Sequence, residues 1–379
     1  MKVSTAGLGR GMAPSPTGGA SSAIIYSVEG VPAAPGRPEK LPHRQGRPVL
    51  HPTLVLAAAA AFAACLPVPG AAQSPPLGPL AAEEGAPLQR LGLTPMVEMA
   101  DPVARGRFRA DMWVAWSNIF EQDSAATHNL YLDMERVLTV LTLRYGVTDR
   151  LEVGGRATLE STFGGILDPV VVGLHDVLRM GSRNRELYPE GAYGQRLEED
   201  GRVLVDIERR SLALDEVRFF GKWLLHAGAD GSSAVAVKGE VRVPARTNRV
   251  GSESADAGVV LLGRNRWRRV HLHGMLGGTI VRRSPELAGL LNPAQYFAMA
   301  GVEYPFSSSL GAVLELTLSS PLVRDFGDRD VDGHLSNAVF GVVYRTGGGW
   351  RWEVAMQEDV PPWGPSLDFT LQLGVSRSW

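Results

Sequence analysis

The chain holds one cysteine, Cys65, in 379 residues. A single thiol excludes a disulfide framework, a paired-cysteine zinc site and an iron–sulfur cluster. Charge of one sign is also missing: 38 Lys+Arg stand against 40 Asp+Glu, a net charge of -2. No basic surface is left over for nucleic acid. No Walker loop, dinucleotide fingerprint or nucleophile elbow is present, so no cofactor is expected. The uncharged run Leu54–Leu66 falls short of the roughly 20 residues a spanning helix needs. Mean hydropathy close to zero argues against a bundle of membrane helices. It does not argue against a membrane β-barrel, where apolar and polar residues alternate and cancel.

What is present begins with a composite N-terminus. Residues 1–50, rich in Gly, Pro, Ser and Ala without apolar period, read as disordered or as an over-extended start. Basic residues at Arg37, Lys40, Arg44 and Arg47 precede the apolar run, and small residues close at Gly70 and Ala72. That order is a secretory signal over 51–72, with cleavage after Ala72. Two other readings stay open: a lipoprotein site at Phe62-Ala-Ala-Cys65, and a buried Ala-rich helix. Residues 73–105 read as a Pro/Gly/Ala linker and 106–379 as the folded body.

In that body the period is two. In the last segment Leu367, Phe369, Leu371, Leu373, Val375 and Trp379 share one face, and Asp368, Thr370, Gln372, Ser376 and Ser378 the other. Twelve strands are expected, at about 107–120, 129–147, 151–160, 201–226 with a break, 233–243, 255–264, 268–282, 293–304, 309–319, 334–345, 349–358 and 366–379. Connections alternate between short turns and longer polar loops, up to 161–200. The fold class is therefore all-β: a transmembrane, antiparallel up-and-down barrel with short turns in the periplasm. Tyr145, Trp223, Tyr304, Tyr344 and Trp379 end strands on the short-turn side in outward phase, where rings gather at the membrane interface. Arg144, Glu152, Arg156, Arg218, Lys222, Lys238, Glu240, Arg242, Glu303, Glu315, Arg351, Glu353 and Asp368 take the inward phase. Both signs occur, which predicts a lumen laced with ion pairs. A secreted β-sandwich would also alternate, but predicts neither aromatic rim nor loop alternation.

His128-Asn-Leu130, the stretch Leu143–Gly154, Gly164–Pro169 with Leu174-His-Asp176, Glu358-Asp359 and Leu367–Leu371 resemble an uncharacterised bacterial family, domain of unknown function 3187. The resemblance spans roughly 105–379. It implies an outer-membrane-like barrel in a Gram-negative cell, and brings no activity and no catalytic residues.

Candidate chemistry is sparse. Within 161–200, apolar residues at 167, 170, 171, 174, 177 and 178, opened by Asp168-Pro169, fit one short amphipathic helix in an extracellular loop. Such a helix could plug the lumen, lie on the bilayer or merely cap the mouth. His334-Leu-Ser336-Asn337 is similar to a stretch of outer-membrane lipid hydrolases (phospholipases and lipid A deacylases), with His as base and Ser as nucleophile. The orienting polar residue of those enzymes would fall in Gly347–Gly349, where it is missing. His271 and His273 share the polar face of one strand, without a visible third metal ligand. Asp325, Asp328, Asp330 and Asp332 crowd one loop, but not with EF-hand spacing. No metal is expected. The leading expectation is a non-enzymatic channel or small-solute binding protein. A lipid hydrolase and a structural barrel or adhesin are the alternatives. The expected partners are outer-membrane lipid and lipopolysaccharide, the barrel-assembly machinery through the C-terminal strand, and a small solute.

Overall fold

From Phe108 onward the alternating sequence becomes a ladder of antiparallel strands. The computed structural model describes residues 75–379 apart from 126, 170, 172, 174–188, 190, 207–208, 246–254, 283–286, 288, 328, 361–366 and 368. The N-terminal extension, the expected signal segment and Asp368 lie outside the described residues.

The strands are β1 (Phe108–Ser124), β2 (His128–Gly146), β3 (Leu151–Phe163), β4 (Gly194–Glu199), β5 (Arg202–Asp206), β6 (Arg210–Ala227), β7 (Ser233–Pro244), β8 (Asp256–Trp267), β9 (Val270–Ile280), β10 (Ala294–Pro305), β11 (Leu310–Ser319), β12 (Leu335–Arg345), β13 (Trp350–Asp359) and β14 (Phe369–Ser378). Twelve of them, β1–β3 and β6–β14, form a closed barrel. The last strand closes on the first, from Arg109 opposite Ser378 to Asn118 opposite Phe369. Closure leaves no sheet edge, so every barrel strand finds two partners.

The sequence reading merged β5 and β6 into one broken strand and missed β4. β4 and β5 form a separate hairpin, laid on the end of β2 beyond its pairing with β3. β2 has 19 residues, and a tilted membrane strand needs only about 9–11. The surplus of β1 and β2 stands clear of the belt, and the hairpin pairs with it.

Alternation sorts the side chains. Leu141, Leu143, Phe219, Val241, Val259, Leu276, Phe340, Val354 and Leu373 are apolar and exposed on the outer face. In a protein dissolved in water that band would be costly; against acyl chains it is the solvent-matched surface. The short turns are tied by their own side chains. Thr148 Oγ1 accepts the N–H groups of Arg150 and Leu151, and Ser307 Oγ those of Ser309 and Leu310. These are the local bonds that favour Ser and Thr in turns.

The other rim is covered. Leu287, Leu290, Leu291, Leu322, Val323, Phe326, Val331 and Leu367 pack into one buried cluster over the barrel mouth. Asp332 holds the loop that carries Phe326 by accepting the N–H groups of Phe326 and Gly327, both at 3.0 Å. The helix expected over 167–178 is not established. Its described part shows one helical hydrogen bond, Val171 N–H to Leu167 O at 2.9 Å. The Asp168 carboxylate accepts Asn118 Nδ2 at 2.8 Å and Gly191 N–H at 2.9 Å. Glu135 accepts Trp116 Nε1 and the N–H groups of Ile166 and Leu167. Both carboxylates pin this loop to β1 and β2.

Candidate functional site: an occupied lumen

The stretch read as a linker runs, from Pro75 to Ala104, inside the barrel. Six prolines (75, 76, 79, 87, 95 and 102) punctuate it. Each lacks an N–H, so the segment cannot extend the sheet as a thirteenth strand. Its remaining backbone groups must be satisfied some other way, and the wall side chains do it.

Near the short-turn rim, Arg345 donates to Pro76 O at 2.7 Å. Glu303 accepts the N–H groups of Leu77 and Gly78, at 2.7 and 3.0 Å. Deeper in, Glu315 accepts Leu80 N–H at 2.7 Å and Glu353 accepts Ala81 N–H at 3.0 Å. Gly78, with φ +100°, makes a turn that a side chain would strain. Arg351 donates to Leu77 O at 2.8 Å and pairs with Glu353. At the loop rim Asn337 meets Glu84, and Gln295 meets Gln89. A single 3-10 turn, Gln89–Leu91, reverses the path.

The return limb descends the opposite wall. Arg242 donates to the carbonyls of Arg90 and Leu91, at 3.0 and 2.9 Å. Arg218 donates to Thr94 O, and Lys222 to Met99 O at 3.1 Å. Asp101 forms a two-pronged pair with Arg264, at 2.7 and 2.9 Å. Val103 N–H reaches Glu152 at 2.7 Å. Val97 N–H to Ala82 O at 2.8 Å and Thr94 Oγ1 to Glu83 at 3.0 Å tie the two limbs together. The plug is thus a hairpin of chain that enters and leaves by the same rim. Its exit presses on Gly146, where an added Cβ would stand 2.2 Å from Ala104 O. Gly146→Ala is expected to displace that exit and speed tryptic cleavage at Arg105 or Arg107, read by timed digestion.

Charges follow the same division. Glu83 pairs with Arg218 at 2.5 Å and with the plug's own Arg90 at 3.1 Å, and lies 3.9 Å from Arg156. Glu98 pairs with Arg144, with Lys238 at 2.6 Å and with Lys222 at 3.4 Å. Glu83, Glu98 and Asp101 of the plug face the basic wall of β2–β8, Glu84 meets Asn337 of β12, and four plug N–H groups face the acidic wall of β10–β13. Arg144, Glu152, Arg156, Arg218, Lys222, Lys238, Glu240, Arg242, Glu303, Glu315 and Glu353 are all buried, and Arg351 partly so. Some pair along the wall, as in Arg242–Asp256 at 2.6 Å and Lys238–Glu240 at 3.1 Å. Glu303 and Glu315 instead accept plug N–H groups, Glu303 while also bonded to His273. The remaining lumen is apolar: Leu77, Leu80, Ala82 and Val97 of the plug pack on Val260, Met275, Phe297, Met299, Val313, Val339 and Val343. These inward apolar positions escaped the sequence reading. Their signal was present, because β12 is apolar on both faces at Val339 and Val343.

Of the interface aromatics, Tyr145, Trp223, Tyr344 and Trp379 are exposed, and Tyr304 is half-buried. Phe108 joins the belt unforeseen, packed on Tyr145 and Trp379 at 4.7 and 6.2 Å, as does the Trp350–Trp352 pair at 5.9 Å. The arrangement that lipid hydrolysis would need is not formed. His334 directs Nε2 to the Tyr296 hydroxyl, and no hydrogen bond to Ser336 is described. Asn337 points inward to Glu84. His273 is bonded to Glu303 at 3.0 Å. Among the described residues no group of three acidic, His or Cys side chains stands ready for a metal.

A model of the family "Protein of unknown function (DUF3187)" matches residues 56–379. No curated protein matches the chain. Among solved structures, an outer membrane channel of Pseudomonas putida F1, COG4313, has a TM-score of 0.49 and 11% identity, covering 74% of this chain and 98% of that one. The KdgM porin follows at 0.37 and 8%, covering 72% and 99%. The toluene transporter TodX of P. putida stands at 0.33 and 11%, covering 72% and 89%.

Proposed function

The chain belongs to the DUF3187 family of proteins of unknown function, and we propose that it is an outer-membrane channel for small solutes, closed by its own residues 75–104. One observation carries this reading: the lumen is filled by a segment that shares no strand pairing with the wall between Pro75 and Ala104. It is held by side-chain bonds, and both its ends lie at one rim. It can leave as a unit without breaking the barrel ladder.

In this reading the short turns face the periplasm. The chain arrives there after export through its signal segment, and the mature N-terminus slips into the barrel from below. The aromatic belt sits in lipid, with lipopolysaccharide outside. The C-terminal strand with Trp379 engages the assembly machinery. A lumen with an apolar part, a basic wall and an acidic wall suits small solutes rather than bulk water flow. Twelve strands leave room for that between a filled eight-stranded barrel and an open porin.

A staple tests the gate. The expected mature chain lacks cysteine, so Leu77→Cys with Gly311→Cys supplies the one available pair. An added Cβ at 311 lies 2.9 Å from Leu77 Cδ1. Oxidised protein in planar bilayers is expected to stay closed, and reduction to restore openings. Equal conductance in both redox states would remove residues 75–104 from the role of gate.

A further inference from the structure

The register of the basic wall carries one more step. Arg156 on β3 stands directly opposite Arg218 on β6, and Arg218 directly opposite Arg242 on β7. Three guanidinium groups therefore line up on three adjacent strands, all on the lumen side and all buried. Like charges directly across a ladder destabilise a sheet. Burial removes the water that would screen them. Such a row persists only where something anionic answers it.

The wall answers part of it. Glu216 contacts Arg218 and lies 3.6 Å from Arg242, and Asp256 pairs with Arg242 at 2.6 Å. Among the described residues Arg156 has no carboxylate of the wall within ion-pair distance. Its Nε leans on Thr142 Oγ1 at 3.3 Å, and its nearest carboxylate is Glu83 of the plug, at 3.9 Å. Arg156 Nη1 and Arg218 Nε are buried without a hydrogen-bond partner in the described structure. The same Glu83 meets Arg218 at 2.5 Å. One carboxylate of the removable segment thus sits between two arginines of the permanent wall.

We propose that Arg156 and Arg218, extended by Arg242, form an oxyanion-binding site of the lumen, and that Glu83 is its built-in stand-in ligand. Planar guanidinium forks match the paired oxygens of carboxylate and phosphate groups. When the plug withdraws, Glu83 leaves, and an anionic solute of either kind takes its place. The site rests on the reading of residues 75–104 as displaceable, but not on conduction. Solute and Glu83 compete for the same arginines, so an oxyanion favours the open form as far as it prefers it.

Calorimetry on the detergent-solubilised full chain tests this. The probes are inorganic phosphate and acetate, with chloride at equal ionic strength as reference. Glu83→Gln removes the competitor while keeping its shape, and is expected to tighten oxyanion binding about tenfold or more. In that background Arg156→Gln with Arg218→Gln is expected to abolish the heat. Arg156→Lys, which keeps the charge and loses the fork, is expected to weaken it, and serves if the double variant fails to fold. Binding of phosphate alone, acetate alone or both supports the site and names the ligand class. Absence of oxyanion heat in Glu83→Gln, or unchanged affinity on removing Glu83, overturns it. Binding without conductance would leave this site standing and the channel fallen; conductance without binding would do the reverse.

Discussion

A chain lacking residues 75–104 is expected to fold into the same barrel and to conduct roughly an order of magnitude more current than the full chain. The reasoning is one of partners. All neighbours in the barrel sheet are supplied by β1–β3 and β6–β14, and none by the plug. The ladder therefore survives its loss. What is lost is lumen packing. Leu77, Leu80 and Val97 go with the deletion, and the wall side chains they cover, such as Val260, Phe297 and Val339, return to water at about 1.5–3 kcal/mol for each one fully exposed. Glu303, Glu315 and Glu353 lose their N–H donors, but water entering the pore replaces them. The penalty for each is therefore smaller than the roughly 1–3 kcal/mol of a group left dry. The shortened barrel should melt at a lower temperature yet still migrate as a folded species in unboiled gels. Bilayer recordings beside that gel assay decide the matter. A folded deletion chain that conducts no better than the full one would mean that the loop cap, and not the plug, closes the lumen.

The two layers of this structure differ in how far the sequence betrays them. Strand alternation is a local signal. Leu141, Leu143 and Tyr145 against Thr142 and Arg144 announce inside and outside within five residues. The closed twelve-stranded barrel follows from such stretches and their alternating connections. The plug has no such signal. Leu77, Leu80, Leu88 and Leu91 fall at helix-like spacing, but Pro79 and Pro87 interrupt any helix there and Leu93 is out of phase, so the spacing misdirects; their burial is set by a wall far along the chain. Prolines at 75, 76, 79, 87, 95 and 102 give the stretch the look of a linker, although they are also what keeps it out of the sheet. The inward charges told only part of the story, for wall pairs do form, as in Arg144–Glu152 and Arg242–Asp256. Opposite signs suggested pairs within the wall, yet Glu303 and Glu315 hold backbone N–H groups that no side-chain inventory reveals. Residues 194–206 were hidden differently. Their partner is the overhang of β2 rather than a neighbour in the barrel, so they add strands without adding to the closed count.

Two neutralisations of the plug should have unequal effects. Glu98 touches three cations, and each has another carboxylate on the wall. Arg144 reaches Asp111 and Glu152, both at 3.0 Å; Lys222 reaches Glu152 at 3.3 Å; and Lys238 reaches Glu240 at 3.1 Å. With Glu98→Gln all three remain paired, and the loss is that of charge-assisted hydrogen bonds, about 1.5–3 kcal/mol. Glu83 also meets three cations, Arg90, Arg218 and Arg156, but among the described residues Arg156 has no carboxylate of the wall within ion-pair distance. Glu83→Gln leaves that guanidinium in a dry site beside Arg218. Breaking a buried pair from one side costs about 3–5 kcal/mol. The wall cannot shed the strain, because the arginines are fixed in the ladder; the plug can, by leaving. The energy therefore appears as a shift in the closed-to-open equilibrium, roughly 10² to 10³ in ratio for Glu83→Gln. For Glu98→Gln it should be smaller by about a factor of ten. Open probability in bilayers, and the rate of proteolysis within 75–104 on solubilised protein, measure the same ratio independently. Equal effects of the two substitutions, or a larger one for Glu98→Gln, would show that the number of contacts, rather than the absence of a second partner, decides how firmly the plug is seated.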